Sequence, residues 1–204
     1  KFLQMGGEIE RANIQSIAPL EDGGWQYVTD HGEHRAAKLV LAMGVWSAEL
    51  LKPLGVHIPL ESERGYHVNF TSPGIALNHS IMDVDMKFVA SSMQDGVRVA
   101  GTAEFGGLDA PISEKRSAGL VTLAGKLSPK LNTEDYTTWS GQRPSLPDSL
   151  PCIGEIDGLP DLITAFGHSH WGLMMAPKTG RIVADLATGN KTNLDLSPYH
   201  PNRF

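Results

Sequence analysis

Arg143 sits in a setting that could do chemistry. Between Trp139 and Gly154 the chain reads WSGQRPSLPDSLPCIG, with three prolines and two glycines around one arginine and one aspartate, Asp148. A residue before proline is held in extended backbone. A guanidinium presented that way can grip a carboxylate through two parallel hydrogen bonds. A rigid loop with a solvated arginine is the plainer alternative. Two junctions, 39–47 and 162–173, run from an apolar strand through glycine into a helix. Glycine lets backbone approach a ligand closely. The helix start beyond it offers unpaired N–H groups and partial positive charge. Either junction alone also fits an ordinary turn of an α/β protein.

His168 and His170 flank Ser169. No third ligand stands at a metal-binding spacing, so no metal is expected. A serine hydrolase is equally disfavoured, because no Gly-x-Ser-x-Gly elbow exists. Tyr66 and His67 are neighbours on a strand and point to opposite faces, so at most one lines a given pocket. Cys152 is the sole cysteine, which excludes an internal disulfide, and it reads as a buried, inert thiol.

Three blocks of elements must position these residues. In the first, an extended stretch over 8–17 is expected, then a strand at Trp25–Thr29 between two glycine turns. The continuous apolar run Lys38 to Met43 suits a strand of a parallel sheet covered on both faces. Ser47 is the expected cap of a short helix after it. The middle block, 58–138, reads as an antiparallel sheet. Its strands fall near 64–71, 86–91 and 97–102, and its helix is capped by Ser113. Leu120, Leu123, Ala124 and Leu127 form the stripe of that helix. The third block, 139–190, returns to the first texture. It holds a strand at 161–166 and a helix with Pro177 in its first turn. Ala176, Gly180, Val183, Ala184 and Ala187 share one face of that helix. Residues 191–204 read as a loose tail.

The composition bounds the function. Of 204 residues, 41% are hydrophobic and 20% charged, which describes a folded globular chain rather than a disordered one. The net charge is -6, with no Lys/Arg run, so nucleic acid is not an expected partner. No apolar run reaches the ~18 residues of a membrane span. Glycine is enriched, at 22 residues, and is dense at the two junctions.

Taken in order, these motifs resemble those of FAD-dependent amine and amino-acid oxidoreductases, the D-amino acid oxidase-like (DAO) family. Leu39 to Ser47 is similar to the family segment VLAAGAWS. Trp139 to Gly154 is similar to W-x-G-x-RP-x-x-PD-x-x-P-x-IG. Gly167-His168 with Gly172 to Gly180 is similar to GH-x-x-x-G-x-x-x-AP-x-TG. Arg64-Gly65-Tyr66 and Gly101-Thr102-Ala103-Glu104 also fit the D-amino acid dehydrogenase subgroup.

The resemblance implies an α+β or α/β chain. Part of a Rossmann-like FAD-binding domain (1–57 and 139–190) would be interleaved with an antiparallel substrate domain. It implies FAD as cofactor, with Gly44, Trp46, Gly167, His168, Gly172, Leu173 and Met174 near it. It implies oxidative deamination of a D-amino acid, hydride passing from the substrate Cα to flavin N5. Arg143 would hold the substrate carboxylate, with Tyr66 and His170 as further pocket residues. Electrons would go on to a quinone chain in a dehydrogenase, or to oxygen in an oxidase. Glycine and sarcosine oxidases and hydroxyproline dehydrogenases share most of these motifs and are the alternative within the class. The family's N-terminal Gly-x-Gly-x-x-Gly turn is missing from the 204 residues, which begin at Lys1. The expectation is therefore the C-terminal part of a longer enzyme, cytoplasmic or peripheral at the inner face of a bacterial membrane. A non-catalytic fragment that binds a small carboxylate, or nothing, is the rival from another class.

Overall fold

The computed structural model describes residues 1–204. Along the chain come β1 (Ile14–Pro19), β2 (Trp25–Thr29), β3 (Gly32–Ala36), β4 (Leu39–Leu41) and α1 (Ser47–Leu51). Next are β5 (Glu61–Phe70), β6 (Ile81–Asp83), β7 (Phe88–Met93), β8 (Gly96–Phe105), α2 (Glu114–Ala124) and β9 (Tyr136–Ser145). The last are β10 (Cys152–Ile156), β11 (Leu159–Phe166) and α3 (Gly172–Ala187). Two units form: residues 1–60 with 146–204, and residues 61–145.

The outer unit holds the antiparallel sheet β1-β2-β3 and a second sheet of order β10-β11-β4. In the latter, β11 runs parallel to β4, pairing Leu162 with Leu39 and Thr164 with Leu41. Trp25, Leu41, Leu51, Leu162 and Phe166 are buried in one core. The Trp25 indole N–H donates to the Pro160 carbonyl at 3.0 Å, so its burial leaves no orphaned donor. The middle unit is a five-stranded antiparallel sheet of order β6-β7-β8-β5-β9. Its core packs Tyr66, Val68 and Phe70 of β5 with Phe88, Val99, Leu120 and Ala124. The leucine stripe of α2 does face this core.

Several local expectations are corrected. The strand β1 starts at Ile14, and residues 8–13 join no sheet. Val40 is 41% exposed, so β4 is covered on one face only. Ser47 does not cap α1. A 3-10 turn, Gly44–Trp46, runs straight into the helix, so Ser47 already has helical backbone (φ -59, ψ -39) and lies buried inside the first turn. A capping side chain needs extended backbone at its own residue. The helix α3 starts earlier than expected, which puts Pro177 inside it, and its buried stripe is Thr179, Ile182 and Asp185. The tail is docked rather than loose. Arg203 donates to Asp148 at 2.7 Å and to the Leu150 carbonyl at 2.7 Å.

The expected boundary at residue 138 falls inside β9, which pairs with β5 from Tyr136 to Ser145. Arg143 therefore belongs to the middle sheet. Pro144 is tolerated there because β9 lies at the sheet edge, where a strand needs no donor on its outer side.

Candidate functional site

In the middle unit, the pairing of β5 with β9 decides which side chains meet. Glu63 faces Arg143, Gly65 faces Gly141, and His67 faces Trp139. Directly opposed residues of an antiparallel pair share one face of the sheet. Arg143 leans diagonally across Gly65. A Cβ on Gly65 would stand 2.2 Å from Arg143 Nη1 and 2.5 Å from Cζ. Glycine is needed here so that the guanidinium can lie flat on the sheet. Arg143 Nη1 is 3.6 Å from Glu63 Oε1. At that length the pair is electrostatic rather than hydrogen-bonded, and the fork keeps donors for another acceptor. The Ser145 hydroxyl donates to Glu63 Oε2 at 2.8 Å and orients that carboxylate.

Tyr66, expected as a pocket residue, lies on the opposite face, 2% exposed. Its hydroxyl donates to the Glu104 carboxylate and accepts from the Ser113 N–H at 3.0 Å. Arg116 Nε donates to Glu104 Oε2 at 2.8 Å, and Arg64 Nη1 lies 3.8 Å from Glu104 Oε1. The Tyr66 hydroxyl and the Arg116 guanidinium hold the Glu104 carboxyl below its ordinary range, against its desolvation. The short motifs around Arg64 and Glu104 thus build one network that anchors the start of α2. It is His67 that shares a face with Arg143. Its ring stacks on Trp139, with centroids 4.8 Å apart and planes 18° apart. Burial, and then the Arg98 charge, lower its pKa, so the imidazole is neutral at pH 7.

In the outer unit, both junctions take the expected form. Gly44 opens the turn after β4 with φ +57. Val45 is buried there, while Trp46 is 53% exposed. Gly167 ends β11 with φ +85, and a Cβ on it would stand 2.5 Å from Leu146 Cδ1, so this glycine serves packing. His168 Nε2 is 3.0 Å from Thr179 Oγ1, and burial lowers its pKa, so it is a neutral, committed side chain. His170 lies on the exposed 3-10 turn Ser169–Trp171. Gly172, Leu173 and Met174 form the first turn of α3. No side chain caps it, and Leu173 is 92% exposed. Beside it runs a groove of about 330 Å³, lined by Val40, Ala42, Gly172, Ala176, Gly180 and Val183 among others. No group of three His, Cys, Asp or Glu could hold a metal ion. No helix is long and apolar enough to cross a membrane.

A family model described as "FAD dependent oxidoreductase" (DAO) matches residues 1–186. The chain belongs to this family. A D-amino-acid oxidase of Bradyrhizobium diazoefficiens is 40% identical over 99% of this chain and 49% of its own length. A D-amino acid dehydrogenase of Vibrio vulnificus is 37% identical over 84% of this chain and 42% of its own. Among solved structures, a glycine oxidase from Geobacillus kaustophilus superposes with a TM-score of 0.82 at 25% identity, over 96% of this chain and 53% of that one. The chain spans about half the length of the curated relatives it matches.

The cofactor of this family is FAD, and the outer unit fits part of it. The groove beside α3 is walled by small and apolar residues that suit a flat ring system. The start of α3 has no side-chain cap, so its first N–H groups would be open to an electronegative edge of such a ring. Val40, Ala42, Gly172 and Gly180 line that groove, and Leu173 and Met174 share the first turn of α3 with Gly172. No Gly-x-Gly-x-x-Gly turn for its pyrophosphate occurs in the sequence. The register that brings Glu63, Gly65, His67, Trp139 and Arg143 together pairs residues 72 to 80 positions apart, and β9 carries no two-residue alternation that would signal it.

Proposed function

We propose that this chain carries the substrate-binding part of an FAD-dependent D-amino acid oxidoreductase, and that the reaction is oxidative deamination. The observation that carries the reading is the Arg143 guanidinium, spread over Gly65 with donors to spare. The names of the relatives support the substrate class. Arg143 binds the α-carboxylate through paired charged hydrogen bonds and fixes the orientation of Cα. Glu63, itself held by Ser145, keeps the guanidinium from swinging off the sheet. When bound, FAD supplies the hydride acceptor. On the substrate, the Cα–H bond breaks and the nitrogen lone pair forms the C=N bond. Water then adds to the imine, giving a 2-oxo acid and ammonia.

The α3 N-terminus would hold the electronegative edge of the ring, and Trp46 and Val40 its apolar flank. Residues outside this chain would hold the pyrophosphate, and the final electron acceptor would be a quinone or oxygen. The test has two parts. The full-length protein should release equal amounts of ammonia and 2-oxo acid from D-alanine, with either oxygen consumption or reduction of a soluble quinone. The purified full-length protein should also retain the yellow colour of FAD after desalting. Colourless material together with no turnover by the full-length protein would leave the rival reading, a non-catalytic chain.

A further inference from the structure

We propose that the Trp139 ring, backed by His67, is the surface that selects the substrate side chain, and that it favours an aromatic one. The inference rests on the reading of Arg143 as the carboxylate clamp. Gly65 and Gly141 are direct cross-strand partners. Their Cβ positions would lie about 5 Å apart on the same face. Arg143 occupies the space over Gly65, and Trp139 occupies the space over Gly141, where a Cβ would stand 2.0 Å from Cη2. One pair of side-chain-free residues thus brings a guanidinium and an indole side by side. An α-amino acid has a matching layout, because its carboxylate and its side chain branch from one carbon. With the carboxylate on Arg143, the side chain reaches the indole.

The indole is also held as a platform. It lies down across Gly141 rather than standing off the sheet, and the near-parallel His67 ring stacks on it. Even so, Trp139 is 55% exposed, so part of its surface is open to a ligand. Aromatic pairs of this kind stabilise beyond their buried area. Glycine, with no side chain, would gain nothing from the indole.

The test uses the full-length, FAD-loaded protein and two carboxylates that cannot be deaminated, 3-phenylpropionate and propionate. Calorimetry should show 3-phenylpropionate binding at least tenfold more tightly. Trp139→Ala should cut that ratio about tenfold while leaving the propionate Kd within threefold. Trp139→Phe should restore most of the ratio. Turnover should follow, with D-phenylalanine losing kcat/KM relative to D-alanine in Trp139→Ala. A wild-type ratio near one, or a ratio unmoved in both Trp139 variants, overturns the proposal. Arg143→Ala separates the two readings. If it leaves both Kd values unchanged, the clamp itself is wrong. If both ligands weaken together while Trp139 variants leave the ratio intact, only the indole surface is.

Discussion

The Arg143 guanidinium occupies the volume that a Cβ on Gly65 would fill. The obstructing atoms are the far end of a flexible side chain, so Gly65→Ala should displace the arginine rather than unfold the sheet. The expected result is a KM for D-alanine raised about tenfold or more, with near wild-type circular dichroism and melting temperature. Steady-state kinetics and a thermal melt check both halves.

Arg143→Ala should raise that KM by ~10²-fold, the order expected when a paired, charged contact is removed. Arg143→Lys should recover only part of the loss, because an ammonium lacks the planar fork. An unchanged KM in Arg143→Ala would sink the clamp assignment.

Tyr66→Phe should act on stability instead. It removes the hydroxyl that donates to Glu104 and accepts from the Ser113 N–H. Both partners are only part-buried and Glu104 keeps its bond from Arg116, so the expected loss is modest. Urea denaturation should show that loss, and KM should stay within about threefold if Tyr66 is confined to the core face. A Tyr66→Phe variant as stable as wild type, with a strongly raised KM, would return Tyr66 to the substrate.

Glu104 sets an acid limit. Its folded pKa lies below the ordinary 4.5, so the unfolded chain takes up the proton first as pH falls. Its contribution to stability is complete above about pH 4.5 and is lost as pH drops through the folded value. Glu104→Gln should therefore be less stable at pH 7 and should show a flatter stability profile below pH 4.5 than wild type. Denaturant midpoints measured from pH 3 to pH 7 test the slope.

Cys152 reports on the docked tail. The thiol is fully buried, its pKa is raised by burial, and Arg203 Nη1 lies 3.5 Å from its sulfur. Arg203→Ala should raise the rate of thiol labelling in the native protein about tenfold or more. A rate equal to wild type would mean that the tail does not guard the thiol.

Local pattern and long-range pairing were legible to different degrees. The alternation over β5 and the leucine stripe of α2 could be read directly, because each depends on residues a few positions apart. Alternation separates Tyr66 from His67, but it does not say which face is the core. That is settled by α2, packed on the Tyr66 side from 48 to 58 residues downstream. The sequence points to a boundary near 138 because Gly141 and Pro144 look like loop chemistry, and only the edge position of β9 makes them acceptable in a strand. Ser47 looks like a cap in sequence because a capped and an uncapped turn can share the same residues. The family motifs were legible as an ordered set, while the meeting of Arg143 with Gly65 depends on a register that no short window contains.

The parallel pairing of β4 with β11 also has a kinetic side. The two strands join Leu39 to Leu162 across the whole contiguous middle unit. During synthesis, residues 61–145 can pair β5 with β8 and β9 as soon as they have left the ribosome. The outer unit must wait for its final third before its second sheet can close, and it bears the entropy of the larger loop when it does. In pulse-labelled refolding, amides of the middle sheet should gain protection first, and those of β4 and β11 last.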